Sequence, residues 1–372
     1  MAFLEPNACS PHPGSSQADR PLVAADRPNL RLTPNRPRRS RPVTRFRPFR
    51  NSDPPALVKL WNRTVPEFGT ARPLRVHELD THAWGTVNFE AAGLIVAEKD
   101  GRIVGYVHAG FGPDLPVAST QPFQLCHELG SICLFAIEPE LDDTELASGL
   151  ILAAERYLVA RGAKVIYAGG LFPLNPFYWG LYGGSEGSGV LSGHARFHRA
   201  VIDLGYEPVS TTVHLEANLG VCEPREPRAA LIRRYTQLEF LDDAMPNHWW
   251  EGVALGEFQV MKARLLSRSD GAELAHAETW DMSWFCRGDG LARVGLINVE
   301  VAAELRRKGY GRFLVSEIFR RARDNLITLV EVQTSATNQA ALSLYASLGF
   351  QPIDQATLYR LPAHCIERTR LP

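Results

Sequence analysis

The sequence predicts an α/β protein in which one strand–turn–helix–strand unit occurs twice, each copy a mixed, partly parallel β-sheet flanked by helices. Three observations carry this expectation. A β-branched run, Val294 to Val301, leads through a basic turn into an amphipathic helix and a second apolar strand, Ile327 to Val332. That order implies a parallel, right-handed crossover. The same order occurs earlier in the chain: Ile137 and Val301 stand 164 residues apart, as do Arg161 and Asn325. Finally, 372 residues suit two domains of ordinary size.

Composition narrows the function classes. Hydrophobic residues make up 45% and charged residues 22%, as in globular proteins. Six cysteines without a Cys-x-x-Cys pair suggest no disulfide scaffold, zinc ribbon or thioredoxin-like site. No run of 18 apolar residues is present, and the first residues lack a secretory pattern, so the expected location is the cytoplasm, away from membranes. The net charge of -1 argues against a nucleic-acid-binding protein as a whole. Residues 1–50 are different, with ten Arg and nine Pro against Glu5, Asp19 and Asp26. Residues 1–42 read as a disordered Arg/Pro-rich tail, either simply solvated or able to touch an anionic surface or nucleic acid. Oligomeric state is not legible.

The first copy is expected over 43–218. Val43 to Phe49 is its opening strand, Asp53 a helix N-cap, and Pro54 the first helical residue. Asp100-Gly101 between apolar runs predicts a hairpin. Leu134 to Ile137 is a strand, Thr144 to Arg161 a helix with a Leu146, Leu150, Ala154, Leu158 stripe, and Ala163 to Ala168 a strand. Gly205-Tyr206 closes the copy. Residues 219–229, with Pro224 and Pro227, read as a linker. The second copy, 230–372, repeats the pattern: an Asp270-Gly271 hairpin, the 294–301 strand, and a helix with Leu314, Val315, Ile318, Phe319 and Ala322 inward. Another strand then leads to Gly349-Phe350. The first copy is longer by about 20 residues between Pro173 and His194, and these include a Gly-rich run, Gly183 to Gly189. That run reads as a mobile loop, or alternatively as a lid over the acceptor groove.

Between the strand and helix of the second copy stands Arg306-Arg307-Lys308-Gly309-Tyr310-Gly311-Arg312. Glycines let backbone N–H groups converge on an anion, and the helix N-terminus adds free donors and a positive dipole end. The spacing is neither the P-loop nor the dinucleotide fingerprint. In the first copy the same place reads Asp142-Asp143-Thr144-Glu145, whose carboxylates would repel a phosphate. After the next strand come Asn338, Tyr345 and Gly349-Phe350. Asn338 and Tyr345 are seven residues apart, about two helical turns, so both can face one groove.

Together, Val301, the Arg-x-x-Gly-x-Gly turn, Asn338, Tyr345 and Gly349-Phe350 resemble the GCN5-related N-acetyltransferase (GNAT) family. The resemblance is strong in the second copy and structural only in the first, where Val201 stands in place of Tyr345. It implies two tandem GNAT-like domains of which the second is catalytic. It also implies acetyl-CoA as acyl donor without a metal, and transfer to a primary amine by direct attack. Arg306, Arg307, Lys308, Gly309, Tyr310, Gly311 and Arg312 would hold the pyrophosphate, Val299 to Val301 the pantetheine arm, and Asn338 the same arm. Tyr345 would be the general acid. Glu300 is the nearest candidate base, with Glu278 and Asp281 behind it; the alternative for Glu300 is a solvated edge residue. A different class of function, a non-catalytic acyl-CoA sensor or scaffold, would use the same groove. His127-Glu128 lacks the second His of a zinc helix, since Ser131 stands there. Trp249-Trp250, Trp280 and Trp284 are read as core or as walls of the acceptor pocket.

Overall fold

The structure, a computed structural model, describes residues 44–114, 124–171, 174–175, 177–224, 226–246, 249–285 and 288–366, so the basic tail lies outside the described residues. The first copy runs β1 (Arg45–Pro48), α1 (Pro54–Thr64), α2 (Val76–Leu79), β2 (Leu94–Lys99), β3 (Arg102–Pro113), β4 (Leu125–Ile137) and α3 (Thr144–Ala160). It continues through β5 (Val165–Ala168), β6 (Gly170–Leu171), β7 (Ser188–Leu191), α4 (Ala195–Asp203) and β8 (Glu207–Asn218). The second runs α5 (Ala229–Tyr235), β9 (Thr236–Leu241), α6 (Trp249–Leu255), β10 (Val260–Ser267), β11 (Glu273–Asp281) and β12 (Arg293–Val301). It ends with α7 (Tyr310–Asp324), β13 (Leu329–Ser335), α8 (Gln339–Ser347), β14 (Gln351–Arg360) and α9 (Ala363–Ile366).

Local sequence explains most of these elements. Asp100 and Gly101 both take positive φ, closing the β2–β3 hairpin, and Gly271 does the same between β10 and β11. Leu314, Val315, Ile318 and Phe319 put the apolar stripe of α7 fully inside, each side chain contributing about 1.5–3 kcal/mol by leaving water. The parallel pairs are β4 with β5 and β12 with β13, one in each copy. Asp53 departs from its expected role. Its backbone starts α1, but its side chain caps no helical N–H. Instead its carboxylate accepts two bonds from buried Arg47, at 2.7 and 3.0 Å, and one from the Arg50 N–H. A charge-assisted fork outcompetes a single neutral cap.

The copies share one sheet, in the order β1-β2-β3-β4-β5-β14-β8-β13-β12-β11-β10-β9. Each copy's last strand lies on the other copy's sheet: β8 pairs β13 from Leu329↔Asn218 to Ser335↔Thr212, and β14 pairs β5. β8 and β14 pair with each other at the centre. Residues from Pro42 onward accordingly form one compact unit. A fragment 228–372 would keep β13 and β14 but lose β8, the strand between them. Their open edges should drive aggregation or domain swapping. We expect no monodisperse folded monomer of that fragment by light scattering and circular dichroism, whereas 43–372 should give one.

Three apolar clusters fill the interior. One lies between β2–β5 and α3, one between β10–β13 and α7, and the third joins the copies. The joining cluster includes Phe177, Tyr178, Trp179, Leu181 and Tyr182 of the first copy's extra segment, packed with Trp280, Met282, Phe285 and Ile297 of the second. Trp250 and Trp280 are fully buried, so both are core, whereas Trp284 is 72% exposed.

Candidate active site

In the second copy, β12 and β13 are paired from Arg293↔Leu329 to Leu296↔Val332 and then part. β13 continues along β8, so among the described residues β12 from Ile297 to Val301 has no strand on that side. Below the fork a buried Arg293–Glu331 pair at 2.7 Å ties the two strands. Just above it β12 bulges: Asn298 takes φ +52°, and the register with β11 shifts there. A bulge leaves backbone groups outside the ladder and re-aims side chains. Here Asn298 Nδ2 donates to Glu278 Oε2 at 2.8 Å and to Glu251 Oε1 at 3.2 Å. Val299 and Val301 turn toward the α7 side and pack on its cluster.

The chain then enters the basic turn. Gly309 takes φ +94° and is the N-cap of α7, with no side chain capping the helix. Glycine is required by that φ and by space, since a Cβ would stand 2.8 Å from the Glu226 carboxylate. Arg306, Arg307 and Lys308 are exposed, and among the described residues no carboxylate lies within ion-pair distance of them or of Arg312. Arg306 Nε donates to the Val301 carbonyl at 3.1 Å, fixing the turn to the strand end. Tyr310 packs partly on the α7 cluster. Gly311 faces Val301 and Leu344, which a Cβ at that position would meet at 3.3 and 3.5 Å. Helix amides without a side-chain cap among the described residues, with exposed cations around them, suit an anion, and the Glu226 carboxylate beside Gly309 already stands at their edge.

Across the groove, Asn338 caps α8 by accepting the Ala341 N–H at 3.1 Å. Its amide nitrogen has no partner among the described residues. Two turns on, Tyr345 is 5% exposed and meets Phe350 edge-on at 5.3 Å. Burial, and secondarily the negative charge of Glu186, raise its phenol above the usual tyrosine range. Its hydroxyl has no hydrogen-bond partner among the described residues. Glu300 is exposed and sits opposite His276, four residues beyond the last pair of the fork, or on the order of 10 Å along the strand. Glu278 is buried and held by Lys262 and Asn298, while Asp281 accepts the Ser283 N–H.

Glu186 escaped sequence reasoning. The Gly-rich run is buried rather than a free loop. Gln333 Nε2 on β13 donates to the carbonyls of Gly183 and, at 3.0 Å, of Glu186. Trp280 Nε1 on β11 donates to the Ser185 carbonyl at 3.1 Å. The first copy's extra segment therefore lies on the second copy's fork, and no local pattern could have announced it.

The corresponding place in the first copy is closed twice over. The Leu146 N–H donates to Asp143 Oδ1 at 2.9 Å, so a carboxylate already caps α3. Tyr178 packs in one buried cluster with Cys133, Leu134 and Ala136, on the part of β4 just past its last pair with β5.

A family model, the acetyltransferase (GNAT) family, matches residues 55–183 and 274–350, more than half of the chain. This chain belongs to the GNAT family. Solved structures agree on the fold. A GCN5-related glucosamine N-acetyltransferase region of a fungal multi-domain GH3 β-N-acetylglucosaminidase superposes with a TM-score of 0.64 at 17% identity, over 87% of this chain and 38% of that one. The chain thus spans well under half of that fungal protein. A tandem GNAT protein from the clavulanic acid biosynthesis pathway gives 0.59 at 15% identity, over 86% of this chain and 99% of that one. A GCN5-related N-acetyltransferase from Sphaerobacter thermophilus gives 0.58 at 13%, over 86% and 96%. A search of curated proteins finds no match. The protein is therefore a tandem GNAT with one mixed sheet running through both copies. Among the described residues, no group could hold a metal ion and no helix is long and apolar enough to cross a membrane.

Proposed function

We propose that this chain is an N-acetyltransferase, working in the cytoplasm, whose second copy takes acetyl-CoA and passes the acetyl group directly to a primary amine. One observation carries the reading: the fork, the uncapped basic turn and Tyr345 converge on one groove, and in the first copy each has been lost or filled. The residues fit the donor. Arg306, Arg307, Lys308 and Arg312, with the amides from Gly309 to Gly311, would hold a pyrophosphate. The free edge of β12 at Val299 and Val301 would pair with the amides of a pantetheine arm, and the free amide of Asn338 would contact it. Tyr345, kept protonated by burial, would give its proton to the departing thiolate. A sensor or scaffold would need no such acid. Glu300, exposed four residues beyond the fork, would contact the acceptor from the strand end. The first copy, with Asp143 in the anion's place, would serve as scaffold.

Gly311→Glu tests the groove. A Cβ at Gly311 would press on the tip of the Val301 side chain at 3.3 Å, which a small shift of that half-buried side chain relieves, and an acidic residue suits the first turn of a helix, so folding should survive. Affinity for acetyl-CoA should fall at least about tenfold, or about 1.4 kcal/mol. Calorimetry on the parent should give one site per chain; two equal sites, or unchanged binding in the variant, would refute the assignment. Turnover should be sought first with glucosamine, the acceptor class of the fungal relative, and then across other primary amines.

A further inference from the structure

We propose that Glu186, carried by the Gly-rich segment of the first copy, is the base that takes the acceptor's proton at the fork of the second copy. The inference rests on the reading of that fork as an acetyl-transfer site. Its seat is built from the second copy's strands: Gln333 holds the carbonyls of Gly183 and Glu186, and Trp280 holds that of Ser185. The contact is close enough to demand glycine on both sides. A Cβ on Gly184, at φ +88°, would meet Gln333 Nε2 at 2.8 Å, and one on Gly295 would meet Ser185 Cβ at 2.7 Å. Glu186 therefore stands at the level where β12 and β13 part.

Two further observations point to a ligand there. Ser185 Oγ and Gln333 Oε1 are buried without hydrogen-bond partners among the described residues, so two polar atoms beside Glu186 await one. The Glu186 carboxylate also has no hydrogen bond or ion pair among the described residues, yet lies near enough to Tyr345 for its charge to act on the phenol. Other carboxylates near the fork are engaged: Glu331 by Arg293, Glu278 by Lys262 and Asn298, and Asp281 by the Ser283 N–H.

The chemistry balances. As the amine nitrogen bonds to the acetyl carbon, one N–H proton passes to the Glu186 carboxylate. The C–S bond breaks with its electron pair on sulfur, and the Tyr345 proton goes to that thiolate. Glu186 then returns its proton to Tyr345, restoring both groups. An amine arriving as ammonium first loses its additional proton to solvent.

Tyr345 from α8 feels the charge of Glu186; Glu331, paired with Arg293, lies beside Gly184 two residues before it, and His214 on β8 bonds Ser188 two residues after it. Burial pushes the Glu186 carboxyl up to about 7. A base must be ionised, so the rate should rise with pH through about 7.

The test uses the full chain with Glu186→Gln and Glu186→Asp, acetyl-CoA, and glucosamine or the amine that turns over. Glu186→Gln should bind acetyl-CoA as the parent does, lose about 10²–10³-fold in turnover, and lose the acidic limb of the pH profile. Glu186→Asp should keep part of the rate and the limb. Carbon-13 spectra of glutamate-labelled protein should contain a carboxyl titrating near pH 7 that vanishes in Glu186→Gln. Parent-like turnover with the limb retained overturns the proposal, as does the absence of that titration; neither touches the acetyl-transfer reading. A parent that binds no acetyl-CoA overturns that reading, and this one with it.

Discussion

Replacing Tyr345 with phenylalanine should lower turnover by about 10²–10⁴-fold, or about 2.7–5.5 kcal/mol of barrier, while acetyl-CoA affinity stays near that of the parent. The ring is what packs: Tyr345 is buried against Phe350, and Phe keeps that edge-on contact. In the proposed role the hydroxyl would matter only when charge develops on sulfur, an interaction made in the transition state rather than the ground state. The sign of the pH effect follows from the environment. Burial, then Glu186, raises the phenol above its ordinary value of about 10. An acid must be protonated to act, so activity should persist to higher pH than an exposed tyrosine would allow. Its fall at alkaline pH should be absent from the residual activity of the Phe variant. Equal rates for variant and parent would remove the general acid.

Glu331→Ala should destabilise the protein by about 3–5 kcal/mol, the range for breaking one side of a buried ion pair. Arg293 and Glu331 are each 4% exposed and 2.7 Å apart. Without Glu331 the guanidinium stays inside, supported among the described residues by Asp289 and, at 3.7 Å, by Glu216. Those partners place the loss toward the lower end of the range. Glu331→Gln, which keeps an acceptor, should lose less. Urea unfolding followed by circular dichroism reads both variants, and a change below about 1 kcal/mol for Glu331→Ala would mean the pair is not what holds β12 to β13 below the fork.

Some of the fold and site is legible in the sequence because the signal is local. The stripe on α7, the glycine-bearing turn and the spacing of Asn338 from Tyr345 each lie within one helix or one turn. There, hydrophobic period and backbone φ tie residue type to geometry directly. The repeat is legible for the same reason, since equal local patterns recur at a constant offset. The side chain of Asp53 escapes such a reading because its competitor, Arg47, reaches it from a strand. For Asp142 and Asp143 the sequence predicts repulsion of a phosphate, and the structure adds a second reason: Asp143 occupies the helix cap itself.

By itself, then, the sequence determined the family, the two copies and which of them kept its turn, cap and tyrosine. Only the tertiary structure decided that β8 and β14 change places and that the Gly-rich segment brings Glu186 to the other copy's fork. The physical reason is that an alternating or apolar strand specifies which face is buried but not its neighbour, because a backbone edge offers the same N–H and C=O groups to any partner. Which edge a strand joins is settled by chain reach and by packing around it. Here that packing is the aromatic run Phe177 to Tyr182 wedged between the copies, a contact that spans about a hundred residues of sequence.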